Sequence, residues 1–428
     1  MTEATLASTA SASAHAHVAA LRFAAQERAG RLAAPTVHDE AWRFTGLAAL
    51  YQHAFFRTPL QARSASAALT LDDLAPWTFA EAGHRMVFVD GVYAPHLGCS
   101  SATDSVTVCT LAQALQSHPA ELAQHLGRHA TDPEQYFTAS NTAQLHDAAV
   151  VIVPRHSAVA APVHVLFVAT QPDASSCARI LLIAGEGSAL TLVEDYVAVT
   201  DGTYLTNSVA ELVIGAQAQV QHVRLQRESV NAFHIARCAV SQGPSSQYHA
   251  IQVAQGAETS RLDATVVQQG EGAHTALDGL AYIVGQQVAD THTCITHAHA
   301  HGTSRQLHKC IVADTAHAVF NGRVQVKPGA QKTDSSQSSR TLLLGPKAQV
   351  NTLPQLEINA DDVRCTHGAT VGQLDNEEVF YLQSRGLTAQ GARQLLTYGF
   401  AAEIIARIPV PNLRDTLQDA VQQHRTAL

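Results

Sequence analysis

The chain has 428 residues, of which 46% are apolar and only 15% charged, against a usual charged share of about 25%. That is enough apolar material for a sizeable core, so wholesale disorder is excluded, and at roughly 150 residues per domain it predicts two or three domains or one long repetitive one. With 27 basic and 36 acidic residues the formal charge is −9, which leaves no net basic field to hold nucleic acid phosphates.

From the N-terminus, Val18, Leu21 and Phe23 predict a first helix. Pro35 breaks the pattern, and Asp39 is placed to cap a second helix carrying Trp42, Leu47 and Leu50. Residues 60–82 read as an Ala/Ser-rich loop, Met86–Tyr93 as a hairpin around Asp90-Gly91, and Leu111–Leu126 as one helical stretch. The texture changes near residue 149. From there to about 370 the chain consists of short β-type runs, among them Val150–Val153, Val163–Val168, Ile180–Ile183, Leu212–Ile214 and Val220–Leu225. Similar Gly-centred turns lie between them: Gly185-Glu-Gly-Ser, Gly215-Ala-Gln-Ala, Gly270-Glu-Gly-Ala, Gly329-Ala-Gln and Gly345-Pro-Lys-Ala. The first two turns lie 30 positions apart, and no long helical pattern intervenes. A β-solenoid follows, with a large sandwich or jelly roll as the alternative. After Asp375 the chain is helical again, with Phe400, Ile404 and Ile408 on one apolar face. The expected division is 1–148 mostly helical, 149–370 solenoid and 371–428 helical.

The seven cysteines are dispersed and form no CxxC pair, and the first residues have neither a basic nor an apolar signal region. Both features predict a reducing cytosol, and no run of about 18 apolar residues predicts a membrane span. Histidine is abundant, with 24 copies. The densest run is Thr291-His-Thr-Cys-Ile-Thr-His-Ala-His-Ala-His-Gly302, where a strand would project His297, His299 and His301 to one face and Cys294 to the other. Three imidazoles on one face can bind Zn²⁺ or Fe²⁺. With no carboxylate interleaved, a solvated strand face is the preferred reading. In Asp361-Asp-Val-Arg-Cys365-Thr-His367-Gly the thiol and imidazole share a face if the segment is a strand, and they suit iron–sulfur chemistry; a packed cysteine and a backbone-bonded histidine are the alternative. The sequence contains no GxxxxGK[ST] phosphate loop, no GxGxxG between a strand and a helix, and no GxSxG elbow.

Cys365-Thr-His-Gly-Ala-Thr-Val-Gly-Gln-Leu-Asp375 followed by Phe380-Tyr-Leu-Gln-Ser-Arg-Gly386 resembles the signature of the SufB/SufD family of the SUF iron–sulfur cluster assembly machinery. Glu40-Ala-Trp-Arg-Phe-Thr45, Tyr204-Leu-Thr-Asn207, Gly270-Glu-Gly272, Gln331-Lys-Thr-Asp334 and Pro354-Gln-Leu-Glu357 resemble its other landmarks, from about residue 35 to 410. Gly368 stands where the SufB branch carries Glu, and Gly345–Asn351 lacks that branch's cysteine, so the resemblance is to the SufD branch; Leu262 is a small departure.

The resemblance implies a right-handed parallel β-helix between helical ends, and a non-catalytic scaffold subunit that pairs with a SufB-like protein and an ABC-type ATPase, SufC. It implies that His367 lies at the SufB interface near a transient iron–sulfur cluster or iron shared with SufB, with a weaker carry-over for Cys365. It also implies that the C-terminal helices, here with Phe400, Ile404 and Ile408, dock SufC. Whether a reduced flavin joins the complex, and whether the isolated chain forms a homodimer, stay open. A β-helix carbohydrate-active enzyme and a stand-alone His-rich metal-binding protein are the competing classes.

Overall fold

The computed structural model describes residues 3–57, 68–101, 105–132 and 135–422. Its body is a parallel β-solenoid whose coils alternate between two sheets. One sheet runs from the strand Gln349–Ile358 back through His317–Val326, Val288–His297, Thr259–Gln268, Phe233–Gln242, Leu205–Ile214 and Ala174–Ala184 to Ala149–Val153. The other runs from Arg364–Gly372 through Asp334–Leu343, Thr303–Val312, His274–Ile283, Gln247–Ala254, Gln219–Arg227 and Ala189–Ala198 to Val163–Ala169. Residues stacked one coil apart are separated by between 26 positions (Phe233 with Thr259) and 32 (His317 with Gln349). The period near 30 seen in the glycine turns is this coil.

Alternation explains why these runs become strands. In the first sheet the lumen side chains stack in register, and one row reads Leu182, Leu212, Val240, Val266, Ile295, Val324 and Leu356. A slip of one residue would turn every member of that row outward, forfeiting roughly 2 kcal/mol of burial per side chain. The corner glycines stack as well. A Cβ on Gly185 would sit 2.7 Å from the Arg155 nitrogen, one on Gly215 2.8 Å from the Glu186 nitrogen, and one on Gly243 2.8 Å from the Ala216 nitrogen. At these three turns glycine recurs because each corner rests on the backbone of the corner before it.

The region read as mostly helical is mixed. Its strands His84–Val89 and Thr107–Thr110 extend the two sheets, the latter antiparallel. The Asp90-Gly91 hairpin is present, with positive φ at both residues. The helix expected around Trp42 is only a short turn at Glu40–Trp42, followed by Ala48–Gln52, because the Asp39 carboxylate accepts from the Thr36 nitrogen instead of capping forward. Leu111–Leu126 divides into Leu111–Ser117 and Pro119–His125, since Pro119 starts a new helix. Part of the expected 60–82 loop, residues 60–67, lies outside the described residues. A helix Glu3–Arg31 packs through Ala14 and Val18 on Leu115, Leu122 and Leu126.

At the other end Asp375 and Thr388 cap the helices Asn376–Ser384 and Ala389–Ile405, and Pro411–Gln422 follows. These helices cover the outer face of the second sheet, setting Ile404, Ile405, Ile408, Leu413 and Leu417 on Val223, Leu225, Ile251, Leu280 and Ile311.

The lumen is apolar at first and turns polar. Glu194 sits inside it and accepts from Tyr196 at 2.6 Å and from Arg224 at 3.2 Å, with His222 at 2.9 Å. Burial pushes its carboxyl up, but His222 and Arg224 outweigh that and hold it at about 2. Farther along, His297 meets Ser304, Ser304 donates to Ser335, and Gln337 donates to Gln306. His308 stacks on Phe320 with ring centroids 4.5 Å apart.

Two predictions follow from this packing. Gly215→Ala should destabilise the fold by on the order of 2 kcal/mol or more, whereas Gly329→Ala, whose Cβ meets nothing within 4 Å, should be close to neutral. Urea midpoints of the two variants give the comparison. Burial also lowers His297 and His308 from the ordinary 6.5 to about 4, so the fold keeps them neutral while the unfolded chain takes up protons below about 6.5. Stability should therefore be full above that pH and fall as pH drops toward about 4, by up to roughly 3 kcal/mol per histidine. A His297→Gln/His308→Gln chain should show a shallower loss of urea midpoint between about pH 7 and 5. His164 and His234, also buried and lowered, leave part of the slope in place.

Candidate functional site, the open end of the solenoid

Coils inside the solenoid hydrogen-bond on both sides, and the last one does not. Among the described residues Arg364–Gly372 pairs only with Asp334–Leu343, and Gln349–Ile358 only with His317–Val326. Two strand edges are thus left open side by side.

Register fixes what this end presents. Cys365, His367, Ala369 and Val371 stack on Ser335, Gln337, Ser339 and Thr341, and those four partners are buried lumen residues. Cys365 and His367 therefore share a face, as the strand reading requires, and it is the lumen face. His367 is nevertheless exposed because no coil covers it, while Cys365 is half-buried. The thiol packs beside Val324, Val326, Ala330 and Ala360, and burial raises its pKa. Ile358 and Val371 are 41% and 49% exposed at the same end. Among the described residues no group of three or more His, Cys, Asp or Glu is placed to hold a metal ion. His367 and Cys365 supply at most part of a ligand set, on a surface shaped for continuation.

The dense histidine run does not form one face. The strand ends at His297, whose side chain is buried in the lumen, and the chain then turns, with His301 at φ 60°. His299 and His301 are exposed in that turn. The expectation of three imidazoles side by side extended a two-residue alternation past the end of the strand. Cys294 does lie on the opposite face from His297, looking outward.

Of the three residues read as a partner-docking face, Ile404 and Ile408 are buried against the solenoid and Phe400 is partly buried. Lys309 reaches this layer from the sheet, donating to the Phe400 carbonyl at 2.8 Å and pairing with Glu403 at 2.5 Å. The exposed apolar surface of these helices is instead Phe380, Tyr381 and Leu395, at 71%, 57% and 47% exposure. Sequence periodicity found the apolar stripe but could not say what it faces.

Sequence reasoning also missed the buried ion pairs that fasten the covers to the solenoid. Arg261 donates to Asp290 at 2.6 Å and to the Ala41 carbonyl at 2.6 Å, and its guanidinium lies 4.0 Å from the centre of the Trp42 ring. Thr45 donates to the same Asp290 at 2.5 Å. Arg179 pairs with Glu211 at 2.5 Å, and Glu211 also accepts from the Gly127, His129 and Ala130 nitrogens. The only trace in sequence is that such charged residues stand inside strand runs.

The family model for the SUF system FeS cluster assembly SufBD core domain matches residues 167–400, and that for the SufBD protein N-terminal region matches 5–165. An iron–sulfur cluster assembly SufBD family protein of Synechocystis is 38% identical over 94% of this chain and 89% of its own length. The iron–sulfur cluster assembly protein SufD of Escherichia coli is 33% identical over 87% of this chain and 85% of its own. The chloroplastic protein ABCI7 of Arabidopsis thaliana is 32% identical over 91% and 82%. No described helix is long and apolar enough to cross a membrane. With the solenoid, its helical ends and both matched regions spanning nearly all of its length, the chain belongs to the SufBD family of SUF iron–sulfur cluster assembly proteins.

Proposed function

We propose that this chain is a non-catalytic scaffold subunit of a cytosolic SUF complex, and that it pairs with a SufB-like sister through the open end of its solenoid. The observation that carries the reading is the pair of adjacent, unsatisfied strand edges with His367 on the lumen row beside them. A second solenoid presenting its own last coil would satisfy both edges and bury Ile358 and Val371. His367 would then face the seam, where a neutral imidazole can ligate iron and the sister supplies the remaining ligands. The cluster is cargo in this reading. Cys365, packed among aliphatic side chains, contributes mainly to holding the strand. The C-terminal helices dock the ABC-type ATPase through Phe380 and Tyr381, while Ile404 and Ile408, with Phe400 above them, anchor those helices to the solenoid and transmit its pull.

The test of the seam uses backbone geometry. In a parallel strand alternate residues direct their N–H groups to opposite sides. The Arg364 nitrogen bonds inward to the Thr333 carbonyl, so the N–H of Ala369 points to the open edge. Ala369→Pro should leave the chain folded and sharply reduce recovery of a co-expressed SufB-like partner. His367→Ala should leave pairing mostly intact and lower the iron and sulfide recovered with the complex by a large factor, with a smaller effect for Cys365→Ser. Undiminished pairing of the proline variant would exclude the seam, and normal cluster content in His367→Ala would exclude the ligand role.

The ATPase dock is tested separately. Phe380→Asp/Tyr381→Asp should lose the co-expressed ATPase in pull-downs while retaining its wild-type melting temperature. Pull-down at full yield would exclude this surface.

A further inference from the structure

The outer face of the first sheet carries a cavity of about 760 Å³, roofed by residues 32–42 and 135–138. Its floor is set by register. Outward side chains stack in two adjacent rows, one containing Arg237, Asp263 and His292, the other Thr265, Cys294 and Arg323.

One charge on this floor, that of Arg237, has no carboxylate partner among the described residues. Asp263 is the neighbour of Arg237 across the strands, but both of its oxygens are taken by Arg261, at 3.0 and 3.1 Å. Arg237 turns to the other row and donates from Nη2 to Thr265 at 3.1 Å. Its Nε is buried without a partner, and no carboxylate lies within ion-pair distance of it among the described residues. Arg323 comes from the opposite side, lies against Cys294 and pairs with Glu357 at 3.6 Å at the exposed rim. Thr265 and Cys294 are register partners on adjoining strands, which places them about 4.8 Å apart. Two guanidinium groups are therefore seated on adjacent side chains, Arg237 with no carboxylate partner among the described residues and Arg323 with one only at the rim, while Asp39, Glu40 and Asp132 also line the cavity.

Like charges gathered at a partly enclosed site repel each other, and a shared oxyanion converts that repulsion into two charge-assisted hydrogen bonds. Tyr136 and Phe137 on the roof offer aromatic surface to an organic body attached to that anion. We propose that this cavity binds a small organic anion, holding its carboxylate or phosphoryl group between Arg237 and Arg323 above Cys294. The site is on the outside of the sheet, apart from the lumen row that carries His367, and does not depend on the scaffold reading.

Cys294 provides the readout. The full-length chain is treated with a neutral alkylating reagent, and modification of each cysteine is followed by peptide mass spectrometry. Inorganic phosphate, adenosine monophosphate and citrate are compared with chloride at matched ionic strength. At least one of the three should slow alkylation of Cys294 saturably, leaving the exposed Cys99 unaffected. Protection by phosphate or the nucleotide identifies a phosphoryl ligand, and protection by citrate a carboxylate; either supports the site. In Arg237→Gln/Arg323→Gln the half-saturating concentration should rise about tenfold or more. Cys294 rates in the wild-type chain that equal the chloride control with all three anions would overturn the proposal without recourse to the variant. So would protection that persists undiminished in a folded double variant.

Discussion

A parallel solenoid satisfies its backbone only through the coil before and the coil after, and everything else in this molecule is arranged around that constraint. Inner coils are locked by a ladder in which Leu212 rests between Leu182 and Val240 and the corner glycines Gly185, Gly215 and Gly243 each rest on the previous corner. The first coils escape the edge problem by turning antiparallel, through Val92–Tyr93, Cys99–Ser100 and Thr107–Thr110, and by taking a helical cover. Among the described residues the last coil has no such device. An edge of this kind is either a liability or an interface, and the lumen row ending in His367 gives it chemistry as well as unsatisfied hydrogen bonds.

The covers are held by a different principle from the coils. The second sheet receives the C-terminal helices mainly through an aliphatic seam, with Lys309–Glu403 and Arg407–Asp278 at its edges. The first sheet receives the N-terminal segments through Arg261–Asp290 and Arg179–Glu211, pairs that are fully desolvated. Such pairs contribute little net stability over an apolar contact, but breaking one leaves a bare buried charge, so they specify where a segment sits. The N-terminal cover is positioned by discrete polar locks, and it spans a cavity in which Arg261 is one of those locks while Arg237 donates to Thr265 of the sheet itself.

Much of the solenoid is legible in the sequence because its early strands are buried on both faces and appear as continuous aliphatic runs, as in Val150–Val153 and Val163–Val168. The strands Phe233–Gln242, Gln247–Ala254 and His274–Ile283 are less visible because their lumen positions include Gln242, Gln252 and Thr275, which dilute the apolar alternation. The histidine run misleads for a related reason: alternation is a local signal and does not say where a strand stops. His367 and Cys365 are legible as a pair on one face. Their exposure is not, since it depends on the absence of a further coil. Arg261 and its partners are invisible to any local pattern, because Thr45 and Asp290 lie 245 residues apart.

That separation bears on how the molecule comes into being. The segment around Ala41–Thr45 cannot reach its resting place until Arg261 and Asp290 have been synthesised and their strands laid down. A nascent chain emerging N-terminus first must therefore hold its leading residues in waiting while coil after coil is added beneath them, with Trp42 still uncovered by its guanidinium partner. Closure of the N-terminal cover is then a late event in assembly, and it reports that the middle of the solenoid has already formed.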